Sequence, residues 1–127
     1  MKNIIYTPNA PAPIGPYSQA VEQNEMLFIS GQIPVDPNTG NVVSGGIAEQ
    51  TEQVLKNIQA IITAAGYGND LGRILKCTIY LSDMANFGGM NTVYGTYFPS
   101  DPPARAAFAV KDLPLAVMVE IEAIAMK

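Results

Sequence analysis

Apolar and polar residues recur along this chain in two rhythms, and each change of rhythm marks a boundary between elements. Ile47, Val54, Leu55, Ile58, Ile61, Ile62 and Ala65 follow three- and four-residue spacing, which predicts an amphipathic helix ending near Gly66. Over residues 73–81 the period shortens to two. Leu75, Cys77, Ile79 and Leu81 then face one way and Lys76, Thr78 and Tyr80 the other, as in a strand with one buried face. Helical spacing returns with Met84, Phe87, Met90, Asn91, Tyr94 and Phe98, with Ser82 as the expected N-cap and Pro99 as the stop. Gly88 and Gly89 weaken that helix by about 1 kcal/mol each relative to alanine. Residues 104–110 and 117–126 read as two closing strands joined through 111–114.

Upstream, residues 18–21 and 26–30 read as short strands around a polar turn, most simply a hairpin, with another short strand near Ile4. Residues 7–16 (TPNAPAPIGP) are too rich in proline for a helix and are expected to lie extended, ending in a turn at Ile14-Gly15-Pro16. Residues 36–46 are turn-rich. The order β-β-β-α-β-α-β-β predicts an α+β protein with two helices on one face of a sheet, in one domain spanning 1–127. The last strand has an apolar side (Val117, Val119, Ile121, Ala123, Ala125) and a mixed one (Met118, Glu120, Glu122, Ile124, Met126). That mixed side suits a subunit interface better than open solvent. A chain of 127 residues encloses little beyond one core, so a water-excluding pocket is more easily built between copies.

Charge and composition narrow the function. Eleven acids against seven bases give a net charge of -4, and the lysines (Lys2, Lys56, Lys76, Lys111, Lys127) are scattered, which disfavours nucleic acid as a partner. The chain has no histidine and one cysteine, Cys77. The common zinc, haem and iron-sulfur ligand sets and His-based triads are therefore out of reach, and no cofactor or metal is expected. No apolar stretch has the length of a signal-peptide core or of a membrane span, so a cytoplasmic protein with no membrane partner is expected. Cys77 alternates with Leu75 and Ile79 and reads as a small buried hydrophobe rather than a nucleophile.

Arg105 is the most informative residue. It stands in the otherwise apolar Pro-Pro-Ala-Arg-Ala-Ala-Phe-Ala-Val, and its permanently charged, planar fork matches a carboxylate bidentately. The partner could be a ligand, or Glu120 or Glu122 in a structural ion pair. A surface arginine on an edge strand also fits the pattern. Glu120 and Glu122 lie two apart on one strand face, where one carboxylate could deprotonate a water, or both could simply be solvated. Tyr17 and Ser30-Gly31 combine hydroxyls with a glycine that permits close backbone approach, although turn and strand-end roles account for them equally.

Taken together, these segments resemble the RidA/YjgF family along nearly the whole chain. The resemblance rests on Asn9-Ala10-Pro11, Ile14-Gly15-Pro16-Tyr17-Ser18-Gln19-Ala20, Phe28-Ile29-Ser30-Gly31-Gln32-Ile33-Pro34 and Gln53-Val54-Leu55-Lys56-Asn57-Ile58. It continues through Leu81-Ser82-Asp83-Met84, Phe87 with Asn91 and Tyr94, Pro103-Ala104-Arg105-Ala106 and Glu120-Ile121-Glu122-Ala123. It implies a chorismate-mutase-like α+β fold assembled as a homotrimer with clefts between subunits. The implied activity is hydrolysis of 2-aminoacrylate, 2-aminocrotonate and their imine tautomers to 2-oxo acids and ammonia, without a cofactor. By the same resemblance Arg105 binds the substrate carboxylate, Glu120 positions water, Tyr17 and Ser30 contact the substrate, Gly31 lends its backbone and Phe87 lines the cleft. Two alternatives stand beside this: a non-catalytic trimer that binds 2-oxo acids, and an endoribonuclease or translation inhibitor, which the low basicity and missing histidine disfavour. The chain departs from many relatives at Ala107, where they carry cysteine. It also differs in a compressed stretch at residues 98–102 and in Gly88-Gly89.

Overall fold

In a computed structural model that describes residues 1–127, the chain forms one six-stranded mixed sheet with two helices on a single face, plus a small separate hairpin. The strands are β1 (Asn3–Ile5), β2 (Ala20–Gln23), β3 (Met26–Gln32), β4 (Val35–Asp36), β5 (Asn41–Val42), β6 (Ile74–Leu81), β7 (Ala104–Ala109) and β8 (Val119–Met126). The helices are α1 (Ile47–Ala64) and α2 (Phe87–Tyr97). Strand order in the large sheet is β1-β2-β3-β8-β6-β7, and β4 pairs only with β5. This matches the predicted α+β layer. The β4–β5 hairpin lies where the pattern suggested turns alone.

Helix α1 forms where the apolar period predicted it. Val54, Leu55, Ile58, Ile61 and Ile62 are all fully buried against the sheet. At its start Glu49 Oε1 accepts from Gly46 N at 2.8 Å. At its end Gly66 takes the left-handed φ of 87°, and Tyr67 N donates to Ile62 O at 3.1 Å, closing the helix as expected. The β2–β3 hairpin turns through Asn24 and Glu25, both at positive φ (53° and 64°), the backbone of the tight turn that best matches strand twist.

The second helix begins differently from expectation. Asp83, not Ser82, caps this region, its Oδ1 accepting from Ala85 N at 2.8 Å over a short 3-10 turn (Met84–Asn86) that leads into α2. A carboxylate one residue later reaches the free N–H that Ser82 does not. Gly89 has a packing reason. A β-carbon there would stand 2.6 Å from Ile47 Cγ2, so its absence lets α2 lie close to the start of α1.

The strand over 73–81 is present, but its phase slips at the start. Ile74 is buried and Leu75 is 48% exposed, because the pairing of β6 with β8 shifts between Ile74 and Lys76. From Cys77 onward the predicted alternation holds, with Cys77, Ile79 and Leu81 fully buried. The two closing strands do not pair with each other. β7 runs parallel to β6 after the α2 crossover, and β8 returns antiparallel between β3 and β6. On β8 the apolar side (Val119, Ile121, Ala123, Ala125) is buried beneath the helices, and the mixed side faces outward on a sheet face that no element of the chain covers.

Candidate functional site

The outward face of the sheet carries a cleft of about 470 Å³ where β3 meets β8, lined by Ile14, Tyr17, Ser30, Gly31, Ile33, Pro114, Glu120 and Glu122. Four of the sequence candidates, Tyr17, Ser30, Gly31 and Glu120, meet here. A bulge positions them: Ile29 pairs with Ala123 but Gln32 with Ile121, so β3 has one residue more than β8 across Ser30-Gly31. Such a bulge bends the strand and re-aims its side chains, a device common beside functional sites. Ser30 is tied inward, its N donating to Gln19 O at 2.9 Å and its Oγ to Ser18 O at 2.6 Å. Tyr17 Oη accepts from Ile14 N at 3.3 Å, fixing the ring over the turn predicted at 14–16.

Gly31 is required for space rather than for backbone conformation. A β-carbon at this position would fall 2.0 Å from Glu120 Oε2 and 2.9 Å from its carboxyl carbon. The Glu120 carboxylate thus lies directly on the glycine backbone. Burial, and secondly the neighbouring Glu122 charge, raise the Glu120 pKa above its ordinary 4.5. Tyr80, opposite Glu120 on β6, has its own pKa raised, first by burial and then by Glu122.

Arg105 lies elsewhere. It pairs with Cys77 across the parallel β6–β7 ladder and so shares the helix-side face, on which Cys77 is fully buried. Glu120 pairs with Tyr80, three residues along β6 from Cys77, and so belongs to the opposite face. Within one chain the register therefore keeps the two apart, which removes the reading of Arg105 as a structural partner of Glu120 or Glu122. Indeed the chain's one side-chain ion pair is Lys56 with Glu52. Arg105 Nη1 donates to Asn91 Oδ1 at 2.7 Å, and its guanidinium carbon lies 5.5 Å from the centre of the Phe87 ring and 5.0 Å from that of Tyr94. Stacked on two rings and held by one amide, the exposed fork keeps donors free for an anion.

Phe87 thus accompanies Arg105 rather than the Glu120 cleft. Asn91 and Tyr94 complete that group. Their spacing of four and seven residues from Phe87 on a helix was visible in the sequence, but nothing local tied them to Arg105. The Cys77 thiol pKa is raised, chiefly by burial, in keeping with an inert core residue. No group of three or more His, Cys, Asp or Glu side chains is arranged to hold a metal ion. No helix is long and apolar enough to cross a membrane.

A mixed sheet backed on one face by two helices is a fold shared with known proteins. The chain belongs to the RidA/YjgF family, whose family model, described as Endoribonuclease L-PSP, matches residues 7–127. It is 56% identical over 127 residues to a RutC family protein of Pyrococcus horikoshii, covering 100% of this chain and 99% of the relative. It is 47% identical over 127 residues to the 2-iminobutanoate/2-iminopropanoate deaminase of Mus musculus, covering 100% and 93%. Among solved structures it superposes on YyfA, a protein of unknown function of the Rid family from Yersinia pestis, with a TM-score of 0.95 at 44% identity, covering 100% of both chains.

Proposed function

We propose that this protein hydrolyses 2-imino acids, including those that tautomerise from 2-aminoacrylate and 2-aminocrotonate, to 2-oxo acids and ammonia at sites formed between the subunits of a cytoplasmic homotrimer. The division of the candidate residues carries this reading. The Arg105 group is an anion anchor without an acid or base, and the Tyr17, Ser30, Gly31 and Glu120 cleft is an acid/base site without a cation to hold a carboxylate. A second copy that set its Arg105 edge against the cleft of the first would complete both. The uncovered sheet face, with Phe28 and Phe108 44% and 45% exposed, offers apolar surface for such an assembly to bury. The name of the mouse relative supports the reaction class.

Arg105 from one subunit holds the imino-acid carboxylate by two charge-assisted hydrogen bonds, which leaves the imine carbon beside a water on Glu120 of its neighbour. Glu120 is a stronger base than a solvated glutamate and takes a proton as the water adds. Glu120 returns that proton to the nitrogen, giving the neutral carbinolamine; the hydroxyl proton then passes to the nitrogen through the same carboxylate as the C–N bond breaks, releasing ammonia and the ketone. A ribonucleolytic reading draws no support from this geometry, since two carboxylates line the cleft and would repel a phosphodiester.

The test follows 2-oxobutanoate release from 2-aminocrotonate made in place by threonine dehydratase, with semicarbazide competing for the imine. Wild type is expected to accelerate release, and Arg105→Ala and Glu120→Ala each to abolish the acceleration. Mixed and reassembled, the two inactive variants should recover about a quarter of wild-type activity, because each interface draws its two members at random. Wild type no faster than buffer refutes the deaminase, and failure of the mixture refutes the shared site.

A further inference from the structure

The Arg105 fork is oriented by a side chain that carries no charge. Asn91 Oδ1 accepts from its Nη1 at 2.7 Å, a short bond, whereas no carboxylate of the chain pairs with the guanidinium. We propose that Asn91 is the positioning residue of the anion anchor, and that it acts as a neutral acceptor so that the whole positive charge stays available to an anionic substrate. The inference rests on the deaminase reading and deepens it.

Asn91 follows Phe87 by one helical turn and precedes Tyr94 by three residues on α2, which sets the amide and both rings on the side of the helix that meets Arg105. Tyr94 is buried and its ring packs against that of Phe98 at 4.6 Å, so the platform beneath Arg105 is fixed. A ring face attracts a cation without setting its rotation, whereas a hydrogen bond is directional. The bond to Asn91 therefore supplies what the two rings lack. A guanidinium has donors only, so the amide must turn its oxygen towards it. One N–H used in this way leaves the others for the paired bonds that a carboxylate accepts.

An acid at this position would orient the fork at least as firmly, but it would also occupy it. Aspartate and arginine pair bidentately, and such a pair meets a carboxylate ligand with no net charge. The chain as a whole carries -4, so a neutralised anchor would leave no attraction to set against that repulsion. An apolar neighbour would preserve the charge, yet the long arginine side chain would then have to be ordered at each binding event. The amide avoids both costs. Asn91 is only half-buried on the surface of α2, so its replacement leaves the core untouched.

Asn91→Leu and Asn91→Asp separate the two effects. Binding of 2-oxobutanoate is measured calorimetrically, and kcat/KM is taken with 2-aminocrotonate made in place by threonine dehydratase. Nitrogen NMR of the guanidinium reports how firmly the fork is held, Arg73 being the only other arginine of the chain. Asn91→Leu is expected to bind the oxo acid about tenfold more weakly and to let the Arg105 Nη signals average by rotation. Asn91→Asp should keep those signals distinct and melt no lower than wild type, yet bind about 100-fold more weakly, with kcat/KM following the same order. A residue that served only the fold, or only the holding of the fork, would rank aspartate beside asparagine. Aspartate binding as tightly as leucine or better therefore overturns the proposal, as does leucine binding like wild type. Turnover indifferent to both substitutions overturns the positioning role alone. The expected order in binding, with no turnover by wild type, keeps that role and overturns the deaminase reading. No binding of the oxo acid by wild type overturns the anchor and its positioning residue together.

Discussion

Replacing Gly31 by alanine isolates the contact on which the proposed acid/base role depends. The added β-carbon would lie 2.0 Å from Glu120 Oε2, whereas real β-carbons essentially never come under 3.0 Å, so the carboxylate must retreat by about 1 Å. The obstructing atom is the end of a flexible side chain, and Gly31 does not adopt a left-handed backbone, so the fold itself has little to lose. Displacing a catalytic group by about 1 Å costs on the order of 100-fold in rate, or about 2.7 kcal/mol of transition-state stabilisation.

Gly31→Ala is therefore expected to melt within a few degrees of wild type while kcat/KM for imine hydrolysis falls about 100-fold. The double variant Gly31→Ala/Glu120→Gln should be no slower than Glu120→Gln alone, since both changes remove the same interaction. Activity within threefold of wild type would refute the argument, as would fully additive losses, which would mean that Gly31 acts by a route other than Glu120.

Three further outcomes follow from the geometry. The neighbouring glycines of α2 should diverge: Gly88→Ala, with nothing within 4 Å of its β-carbon, should stabilise by about 1 kcal/mol, while Gly89→Ala, 2.6 Å from Ile47 Cγ2, should destabilise in the same denaturant titration. Gln19→Leu removes four hydrogen bonds, three of them buried, that pin residues 7–11; a loss of about 3 kcal/mol or more and early proteolysis within residues 7–16 are expected, and unchanged cleavage would argue against it. Glu122→Gln removes the secondary cause of the raised Glu120 pKa and leaves burial, the larger one, so the acidic limb of the kcat/KM profile should move to lower pH without reaching that of a solvated glutamate. Because the folded-state pKa of Glu120 is raised, its protonation favours the fold. That contribution is full below about 4.5, is lost as pH rises through the raised value, and should shrink in Glu122→Gln.

Much of the fold was legible from local pattern. The period of α1, the alternation of β8 and the stops at Gly66 and Pro99 are written in neighbouring residues, because a buried face imposes its own repeat on the element that supplies it. Local pattern was least secure where two signals competed. At Leu75 a one-residue slip in pairing overrode alternation, and Asp83 took the capping role expected of Ser82. The candidate site residues also stood out in the sequence: an arginine in an apolar strand, two acids on one face, and a glycine after Ser30.

What the sequence by itself determined is thus the set of elements, the face each one buries and the identity of the chemical groups. Strand order, the bulge across Ser30-Gly31 and the placement of Arg105 and Glu120 on opposite faces belong to the tertiary structure. The reason is one of range: a side chain's face follows from its neighbours in sequence, whereas its company follows from pairing between strands far apart in the chain, where a shift of one residue reverses every side chain.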